Sequence, residues 1–113
     1  RTKAYFTKWN VLFNYARRVC YIHFAIFNFH PILSGNLVIY GPSGPCWASN
    51  TDRHGHPPYY TVNQGDGNLV VYDGHNQPLW ASNTVGLGTQ SRVILQDDGR
   101  LTIYVDSTIH WTN

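Results

Sequence analysis

The chain repeats itself every 32 residues, and this period restricts its fold more than any other feature of the sequence. Residues 36–40 read Asn-Leu-Val-Ile-Tyr, residues 68–72 read Asn-Leu-Val-Val-Tyr, and residues 100–104 read Arg-Leu-Thr-Ile-Tyr. Each tyrosine is followed seven or eight residues later by a tryptophan, namely Trp47, Trp80 and Trp111. Self-similarity at such a period indicates a domain assembled from copies of one supersecondary unit.

Each unit is predicted to contain short strands joined by tight turns. The chain has 10 glycines and 6 prolines, which separate short apolar runs. The segment between each repeated tyrosine and its tryptophan carries turn residues, as in Gly-Pro-Ser-Gly-Pro at 41–45. This pattern favours an all-β sandwich, barrel or propeller-like fold. Three units closed around an axis would leave few open sheet edges, with the repeated tryptophans as large core anchors.

The second copy contains an unusual row of polar side chains. Residues 64–72 read Gln-Gly-Asp-Gly-Asn-Leu-Val-Val-Tyr. A single strand over this stretch would place alternate side chains on one face, with Leu69 and Val71 pointing into the core. A core strand does not need three neighbouring hydrogen-bonding groups on its other face. We therefore predict that this face binds a ligand, and we call it the central row. The alternative is an exposed polar face that binds nothing. The members of the central row are Gln64, Asp66, Asn68, Val70 and Tyr72.

These motifs resemble those of the bulb-type (monocot-type) mannose-binding lectins. The resemblance rests on Gln-x-Asp-x-Asn-x-Val-x-Tyr at 64–72, on the repeats, and on Trp-Ala-Ser-Asn-Thr at 47–51 and 80–84. It covers about residues 32–113, and Tyr-Gly-Pro-Ser at 40–43 is similar to relatives from fish skin mucus. The resemblance implies a β-prism of three four-stranded antiparallel sheets with pseudo-threefold symmetry. The chain would form one lectin domain, 1–113, with units of about 1–51, 52–84 and 85–113.

The resemblance also implies a role for each member of the central row. Asp66 and Asn68 would bond the axial 2-hydroxyl of mannose, Gln64 the 3-hydroxyl and Tyr72 the 4-hydroxyl, while Val70 would pack against the ring carbons. Sugar hydroxyls both donate and accept hydrogen bonds, and these side chains supply both functions. A sugar without the axial hydroxyl would leave polar groups unpaired, at a cost of about 1–3 kcal/mol.

The first copy lacks half of this polar set. Ile32 and Ser34 stand where glutamine and aspartate belong. We expect no useful sugar binding at this degenerate first row, which retains Asn36, Val38 and Tyr40.

The third copy keeps more of the set but changes its chemistry. Arg100 replaces the asparagine and Thr102 replaces the valine. Arginine can only donate hydrogen bonds, and it could pair with the neighbouring Asp98. We therefore expect at most a weak second site in this third row, formed by Gln96, Asp98 and Tyr104.

Residues 1–31 repeat nothing and leave two interpretations open. They hold five basic residues, no acid and nine aromatic residues. The segment is either two or three core strands or a basic, aromatic surface that contacts membranes or anionic glycans. Cys20 and Cys46 are either bridged or two free thiols. The formal net charge of +2 is too small to indicate a nucleic-acid partner, and no apolar run reaches the roughly 18 residues of a membrane span.

No arrangement typical of an enzyme is visible. The sequence contains no nucleophile–base motif, paired catalytic carboxylates or phosphate loop, so we expect no catalytic residue and no cofactor. His54 and His56 could begin a metal site, but no further ligand follows at a suitable spacing. A solvated loop is the alternative that we prefer, and we expect no metal.

The sequence therefore predicts a metal-independent lectin for terminal mannose, secreted or extracellular, in innate defence or glycan recognition. Mucus or the body surface is one place where such a protein could act. A single shallow site would bind at about millimolar concentration, so useful avidity requires an oligomer such as a homodimer. The alternative is a β-prism protein that has lost sugar binding and acts through protein or membrane contact. A secreted metal-binding peptide centred on His54 and His56 is a third hypothesis.

Overall fold

The computed structural model of the chain describes residues 2–3, 11–12, 21–24, 35–96 and 98–113. Within these residues the chain is almost entirely β-structure, with one 3₁₀ turn at Gly88–Gln90. The strands are β1 (Thr2–Lys3), β2 (Val11–Leu12), β3 (Tyr21–Phe24), β4 (Leu37–Gly41), β5 (Gly44–Ala48), β6 (Tyr60–Asn63), β7 (Leu69–Tyr72), β8 (Pro78–Ala81), β9 (Arg92–Leu95), β10 (Leu101–Val105) and β11 (Thr108–Thr112).

These strands form three antiparallel sheets. The first has the order β2-β3-β4-β5, the second β6-β7-β8 and the third β1-β9-β10-β11. The predicted β-prism architecture is confirmed, with four, three and four strands in the described part of the chain. The first strand joins the third sheet by pairing with β9, which links the two ends of the described chain. The unit boundaries near 51 and 84 stay a prediction.

The three sheets are built to one plan around a central cluster of tryptophans. Each carries a β-bulge immediately before the repeated tyrosine, and the residue preceding the bulge pairs with a tryptophan on the next strand. The indole rings of Trp47, Trp80 and Trp111 meet edge to face, with centroids 5.4, 5.5 and 6.0 Å apart. This is the favoured geometry of aromatic pairs, and all three rings pack against the core. The prediction of one large anchor per unit is confirmed.

The core is formed by alternate residues of the inner strands. In β7, Leu69 and Val71 are fully buried, as the period of two predicts. Equivalent positions of the other strands complete the cluster, together with the ring of Tyr59. The members of the cluster are Ile22, Phe24, Leu37, Ile39, Tyr59, Leu69, Val71, Val93, Leu95, Leu101 and Ile103.

The N-terminal segment supplies strands to two of the sheets. Ile22 and Phe24 of β3 are buried in the core, which agrees with the core-strand interpretation of residues 1–31. Most of this segment, including Cys20, lies outside the described residues. Cys46 carries a free, exposed thiol, which contradicts the alternative of a bridge between Cys20 and Cys46. Among the described residues, no helix is long and apolar enough to cross a membrane.

Candidate functional site

The central row is built on a hairpin and not on one strand. β6 ends at Asn63, β7 begins at Leu69, and the residues between them turn the chain. The Gly67 N–H donates to the Gln64 carbonyl and the Gln64 N–H donates to the Asn68 carbonyl, both at 2.9 Å. The expectation of a continuous strand over 64–72 is therefore wrong. The cause is local turn chemistry, because Gly67 adopts a φ of 91° that other residues rarely accept.

The turn nevertheless brings the polar side chains of the row together. The Gln64 side-chain amide nitrogen donates to both carboxylate oxygens of Asp66, each at 3.1 Å. The Tyr72 hydroxyl donates to the side-chain oxygen of Gln64. Because a carboxylate only accepts, this network fixes which end of the Gln64 amide faces Asp66. Three side chains are thus held in place before any ligand arrives.

Asp66 is an exposed side chain whose charge is stabilised by its neighbours. The backbone N–H of Asn68 donates to its Oδ1 at 2.9 Å, and this bond is the main cause of a lowered Asp66 pKa. The Gln64 amide lowers the pKa further, while partial desolvation opposes both effects. Asp66 is therefore an ionised acceptor at neutral pH, available to a ligand hydroxyl.

Asn68 is held from behind by a buried cluster of hydroxyl groups. Its Oδ1 accepts from the Ser82 hydroxyl at 3.2 Å and from the Thr84 backbone N–H at 3.1 Å. Since a backbone N–H can only donate, the Asn68 oxygen must point inward. The Nδ2 group, which has no partner among the described residues, is left as a hydrogen-bond donor. We call this arrangement the asparagine clamp.

The clamp explains the repeated pentapeptide Trp-Ala-Ser-Asn-Thr. Ser82 also accepts from the Leu69 N–H at 3.0 Å, and Thr84 donates to the Gly67 carbonyl at 2.7 Å. Sequence reasoning missed Ser82 and Thr84 as supporting residues of the site. Their signal was present in the pentapeptide, which occurs in register with an asparagine in each of the first two copies.

Val70 offers little surface to a ligand. It lies in β7 beside the polar residues and is only 2% exposed. Tyr72 is half-buried, and its ring stacks on Tyr60 of β6 with centroids 5.0 Å apart. The walls of the central row are therefore mainly Gln64, Asp66, Asn68 and Tyr72.

The first row retains the same clamp without the rest of the site. Asn36 Oδ1 accepts from the Ser49 hydroxyl at 3.1 Å and from the Thr51 N–H at 3.2 Å. Val38 is buried and Tyr40 half-buried, whereas the replaced positions 32 and 34 lie outside the described residues. The asparagine therefore makes the same supporting contacts in a copy that lacks the glutamine and the aspartate.

The third row keeps its aspartate but arranges the other groups differently. Arg100 donates its backbone N–H to Asp98 Oδ1 at 3.0 Å, and its Nε lies 3.7 Å from Oδ2. The expected ion pair is therefore present, although both side chains remain exposed. Gln96 donates to the hydroxyls of Tyr104 at 2.5 Å and Thr102 at 3.3 Å. An open cleft of about 510 Å³ covers this row, with Ile109 and Thr112 in its wall.

The two histidines considered as metal ligands lie in an exposed loop. His54 Nδ1 is 3.0 Å from the Asp52 carbonyl, and the ring of His56 stacks on His75 with centroids 4.3 Å apart. In the part of the chain that the structure describes, no three histidine, cysteine or acidic side chains are grouped for a metal ion. The contact of His54 is internal to the loop, and the stacked pair joins the loop to the turn between β7 and β8.

Comparison with known proteins identifies several lectins. No protein-family profile matches the chain. The chain is 39% identical over 85 residues to a mannose-specific lectin of Aloe arborescens, covering 74% of this chain and 76% of that protein. It is 38% identical over 79 residues to the B-type lectin plumieribetin of Scorpaena plumieri, covering 69% and 67%. A match at 38% identity to a putative lectin of Acanthamoeba polyphaga mimivirus spans 28% of that protein.

Solved structures give the same result for the fold. A monomeric monocot mannose-binding lectin from Gastrodia elata superposes with a TM-score of 0.63 at 34% identity, covering 80% of this chain and 76% of that chain. The snowdrop (Galanthus nivalis) agglutinin, solved with methyl-α-D-mannoside, superposes with a TM-score of 0.60 at 32% identity, covering 98% and 87%. The resemblance inferred from the repeated motifs is confirmed: the chain belongs to the bulb-type (monocot-type) mannose-binding lectin family.

Proposed function

We propose that the protein is a metal-independent lectin that binds terminal mannose at the central row. The observation that carries this proposal is the pairing of a fixed acceptor with a fixed donor. Asp66 is ionised and exposed, and two residues further along the chain the asparagine clamp occupies the Asn68 oxygen and leaves its amide nitrogen as a donor. One hydroxyl that donates to Asp66 and accepts from Asn68 satisfies both groups.

The axial 2-hydroxyl of mannose would occupy this position. Tyr72 already gives its proton to Gln64, so the phenol oxygen is available to accept from the 4-hydroxyl. The second amide hydrogen of Gln64 would donate to the 3-hydroxyl. Because these side chains are ordered before binding, less conformational entropy is lost when the sugar arrives.

Selectivity for mannose over glucose follows from the same two residues, Asp66 and Asn68. Glucose carries its 2-hydroxyl equatorially, away from the position shared by Asp66 and Asn68, and would leave a carboxylate and an amide unpaired. Unpaired polar groups in a closed contact cost about 1–3 kcal/mol, which corresponds to a difference in affinity of about 5- to 150-fold.

A paired titration tests this function. Binding of methyl α-mannoside and of methyl α-glucoside is followed by NMR chemical shifts, with and without EDTA. We expect the mannoside to bind near a millimolar dissociation constant in both conditions, and the glucoside to bind about 5- to 150-fold more weakly. Equal affinity for the two sugars, or loss of mannoside binding with EDTA, would contradict the proposal.

The third row is proposed as a weak second site at most. Its open cleft and its retained Gln96, Asp98 and Tyr104 favour some contact with a sugar. However, Gln96 donates toward Thr102 and Tyr104, and Arg100 supplies a paired cation where the clamped amide would stand. We therefore expect a stoichiometry close to one mannose per chain.

The biological setting and the assembly are also proposals. We propose a secreted protein acting in defence or glycan recognition without catalysis, and a homodimer that converts weak sites into useful avidity. The alternative function is a β-prism interaction protein without sugar binding. Two altered rows and the exposed apolar residues Val85 and Ile109 favour it. A wild-type protein that binds neither methyl glycoside would make this alternative the better explanation.

A further inference from the structure

Arg100 lies beside an open cleft, and its ion pair leaves most of its hydrogen-bonding capacity unused. Its Nε is 3.7 Å from Asp98 Oδ2, which is longer than a hydrogen bond. The two side chains are 64% and 62% exposed. Among the described residues, no group accepts a hydrogen bond from the guanidinium. Because exposed ion pairs of this kind are weak, the planar fork of N–H groups is available to a ligand.

Residue 100 also lacks the support that fixes the asparagines of the other copies. In those copies a serine hydroxyl accepts from the backbone N–H that follows the asparagine and donates to the asparagine oxygen. In the third copy the Leu101 N–H donates instead to Asn113 Oδ1, at 2.6 Å. An arginine carries no acceptor that a buried hydroxyl group could hold. The Arg100 side chain is therefore not fixed from behind, and it lines the cleft.

The rest of the cleft wall suits a sugar. The cleft measures about 510 Å³, which lies within the range of small-ligand sites. The Gln96 amide nitrogen donates to Thr102 and Tyr104, so its Oε1 is left as an acceptor without a partner in the described ranges. Ile109, which is 52% exposed, and Thr112 add an apolar surface and a hydroxyl group. A ligand with hydroxyl groups, a C–H surface and a negative charge would use all of these features.

The charge of the third row differs from that of the central row. Asp66 is the one charged member of the central row, whereas both Asp98 and Arg100 line the third-row cleft. One carboxylate stands alone in the first case and beside a guanidinium in the second. A negatively charged sugar therefore meets only repulsion in the central row, but it meets a cation in the third. The exchange of asparagine for arginine changes which sugars the row attracts.

We propose that the third-row cleft binds a sugar that carries a carboxylate, with Arg100 holding the carboxylate. The planar guanidinium matches a carboxylate with two parallel hydrogen bonds. Gln96 Oε1 then accepts from a sugar hydroxyl, and Ile109 packs against the ring. The chain would carry two sites of different specificity, one for neutral mannose and one for an acidic sugar. The inference goes beyond the proposed mannose function, because the two rows share no residue.

The test compares each acid with its uncharged ester. Methyl β-glucuronide, the methyl α-glycoside of N-acetylneuraminic acid and the methyl ester of each are titrated against the wild-type protein by NMR. We expect at least one acid to bind about 3- to 10-fold more tightly than its ester at low salt, and less so at high salt. The amide signals of Thr102, Ile109 and Thr112 should shift. The acid that binds identifies the source of the carboxylate. If neither acid exceeds its ester by more than about twofold, the proposal is overturned.

Substitutions of two arginines separate a specific site from general surface charge. Arg100→Ala should abolish the preference for the acid, and Arg100→Lys, which keeps the charge without the fork, should retain only part of it. Arg92 provides the control. It pairs with Tyr104, so it projects from the same face of the sheet, but it does not line the cleft. Arg92→Ala should keep the preference. Equal losses in Arg92→Ala and Arg100→Ala, or a full preference in Arg100→Ala, would overturn the proposal.

Parallel titrations with methyl α-mannoside keep the two functions apart. We expect Arg100→Ala to bind the mannoside within about twofold of the wild type, and Asp66→Ala to keep the preference for the acid. A wild-type protein that binds an acid and not the mannoside would overturn the proposed function and support the third-row site. Thermal unfolding of each variant shows that the comparison is made between folded proteins.

Discussion

The central row and the third row hold their aspartates in the same way. Asp66 accepts from the Asn68 N–H at 2.9 Å, and Asp98 accepts from the Arg100 N–H at 3.0 Å. Both bonds form two residues along the chain in a glycine-containing turn. This shared turn depends on the aspartate and on the backbone N–H two residues later. It does not depend on whether that later residue is asparagine or arginine. A retained aspartate is therefore weak evidence for a working site.

The two rows differ in the direction of their glutamines. Gln64 donates to Asp66, whereas Gln96 donates to Thr102 and Tyr104. The cause is the residue six positions after each glutamine. Val70 offers no acceptor, but the Thr102 hydroxyl gives its proton to the Ile94 carbonyl and can accept from Gln96. One added hydroxyl group thus gives the third glutamine a different partner.

Removal of the acceptor should have the largest effect on sugar binding. We expect Asp66→Ala to weaken binding of methyl α-mannoside by about 10- to 150-fold, because a charged hydrogen-bonding group contributes roughly 1.5–3 kcal/mol. The matched variant Asp98→Ala should change the affinity by less than about twofold. Both are measured by titration. Equal losses in the two variants would mean that both rows bind mannose.

The asparagine clamp can be weakened separately in the second copy, which carries the proposed site, and in the first copy, which does not. Ser82→Ala and Ser49→Ala each remove the hydroxyl that supports an asparagine and a buried N–H. We expect each to lower the free energy of unfolding by about 1–3 kcal/mol in urea denaturation, since buried polar groups lose their partners. Only Ser82→Ala should also weaken mannose binding. A loss of affinity in Ser49→Ala would disprove this separation of architecture from binding.

Substitution of the tyrosines in the two rows should give a smaller difference in mannose affinity. Tyr72→Phe removes the hydroxyl that orients Gln64 and that would accept from the sugar. We expect a loss of about 2- to 12-fold in mannose affinity, the effect of a hydrogen bond worth about 0.5–1.5 kcal/mol. Tyr104→Phe should leave the affinity unchanged in the same titration. No change in Tyr72→Phe would remove this residue from the site.

Acidification from neutral pH to about pH 3.8 should have the smallest effect on binding. Because hydrogen bonds from Asn68 and Gln64 lower the Asp66 pKa below 3.8, its ordinary value, the carboxylate stays ionised as the pH falls toward that value. Mannose binding and the stability that these bonds contribute should be fully present above pH 3.8 and lost only as the pH falls through the lowered pKa. Titrations from neutral pH downward test this. A loss centred above pH 3.8 would indicate that Asp66 is not stabilised in this way.

Much of the fold was predictable from the repeats. The period of 32 residues, the alternation around Leu69 and Val71 and the recurring tryptophans together predicted three β units around a common core, and the family resemblance implied that they form three sheets. The ion pair between Asp98 and Arg100 was also anticipated, because the two residues are close along the chain. These features depend on residues that are close in sequence or on copies of one unit. They can therefore be predicted from a single amino-acid sequence.

The site itself was predictable in composition but not in geometry. A row of alternating residues was expected to be one strand, yet glycine turn chemistry bent it into a hairpin between β6 and β7. The stacking of Tyr60 on Tyr72 was not predicted, because it depends on the register between two strands. Register is decided by pairing along the whole hairpin and not by either residue alone.

The amino-acid sequence by itself determined which residues could form a sugar site and in which copy the full set survives. Only the tertiary structure decided how those groups point. Asn68 presents its amide nitrogen because Ser82 and Thr84, which follow it by 14 and 16 residues, hold its oxygen from behind. A side-chain amide carries a donor and an acceptor of almost identical shape. Its orientation is therefore set by the buried partners that folding brings to it.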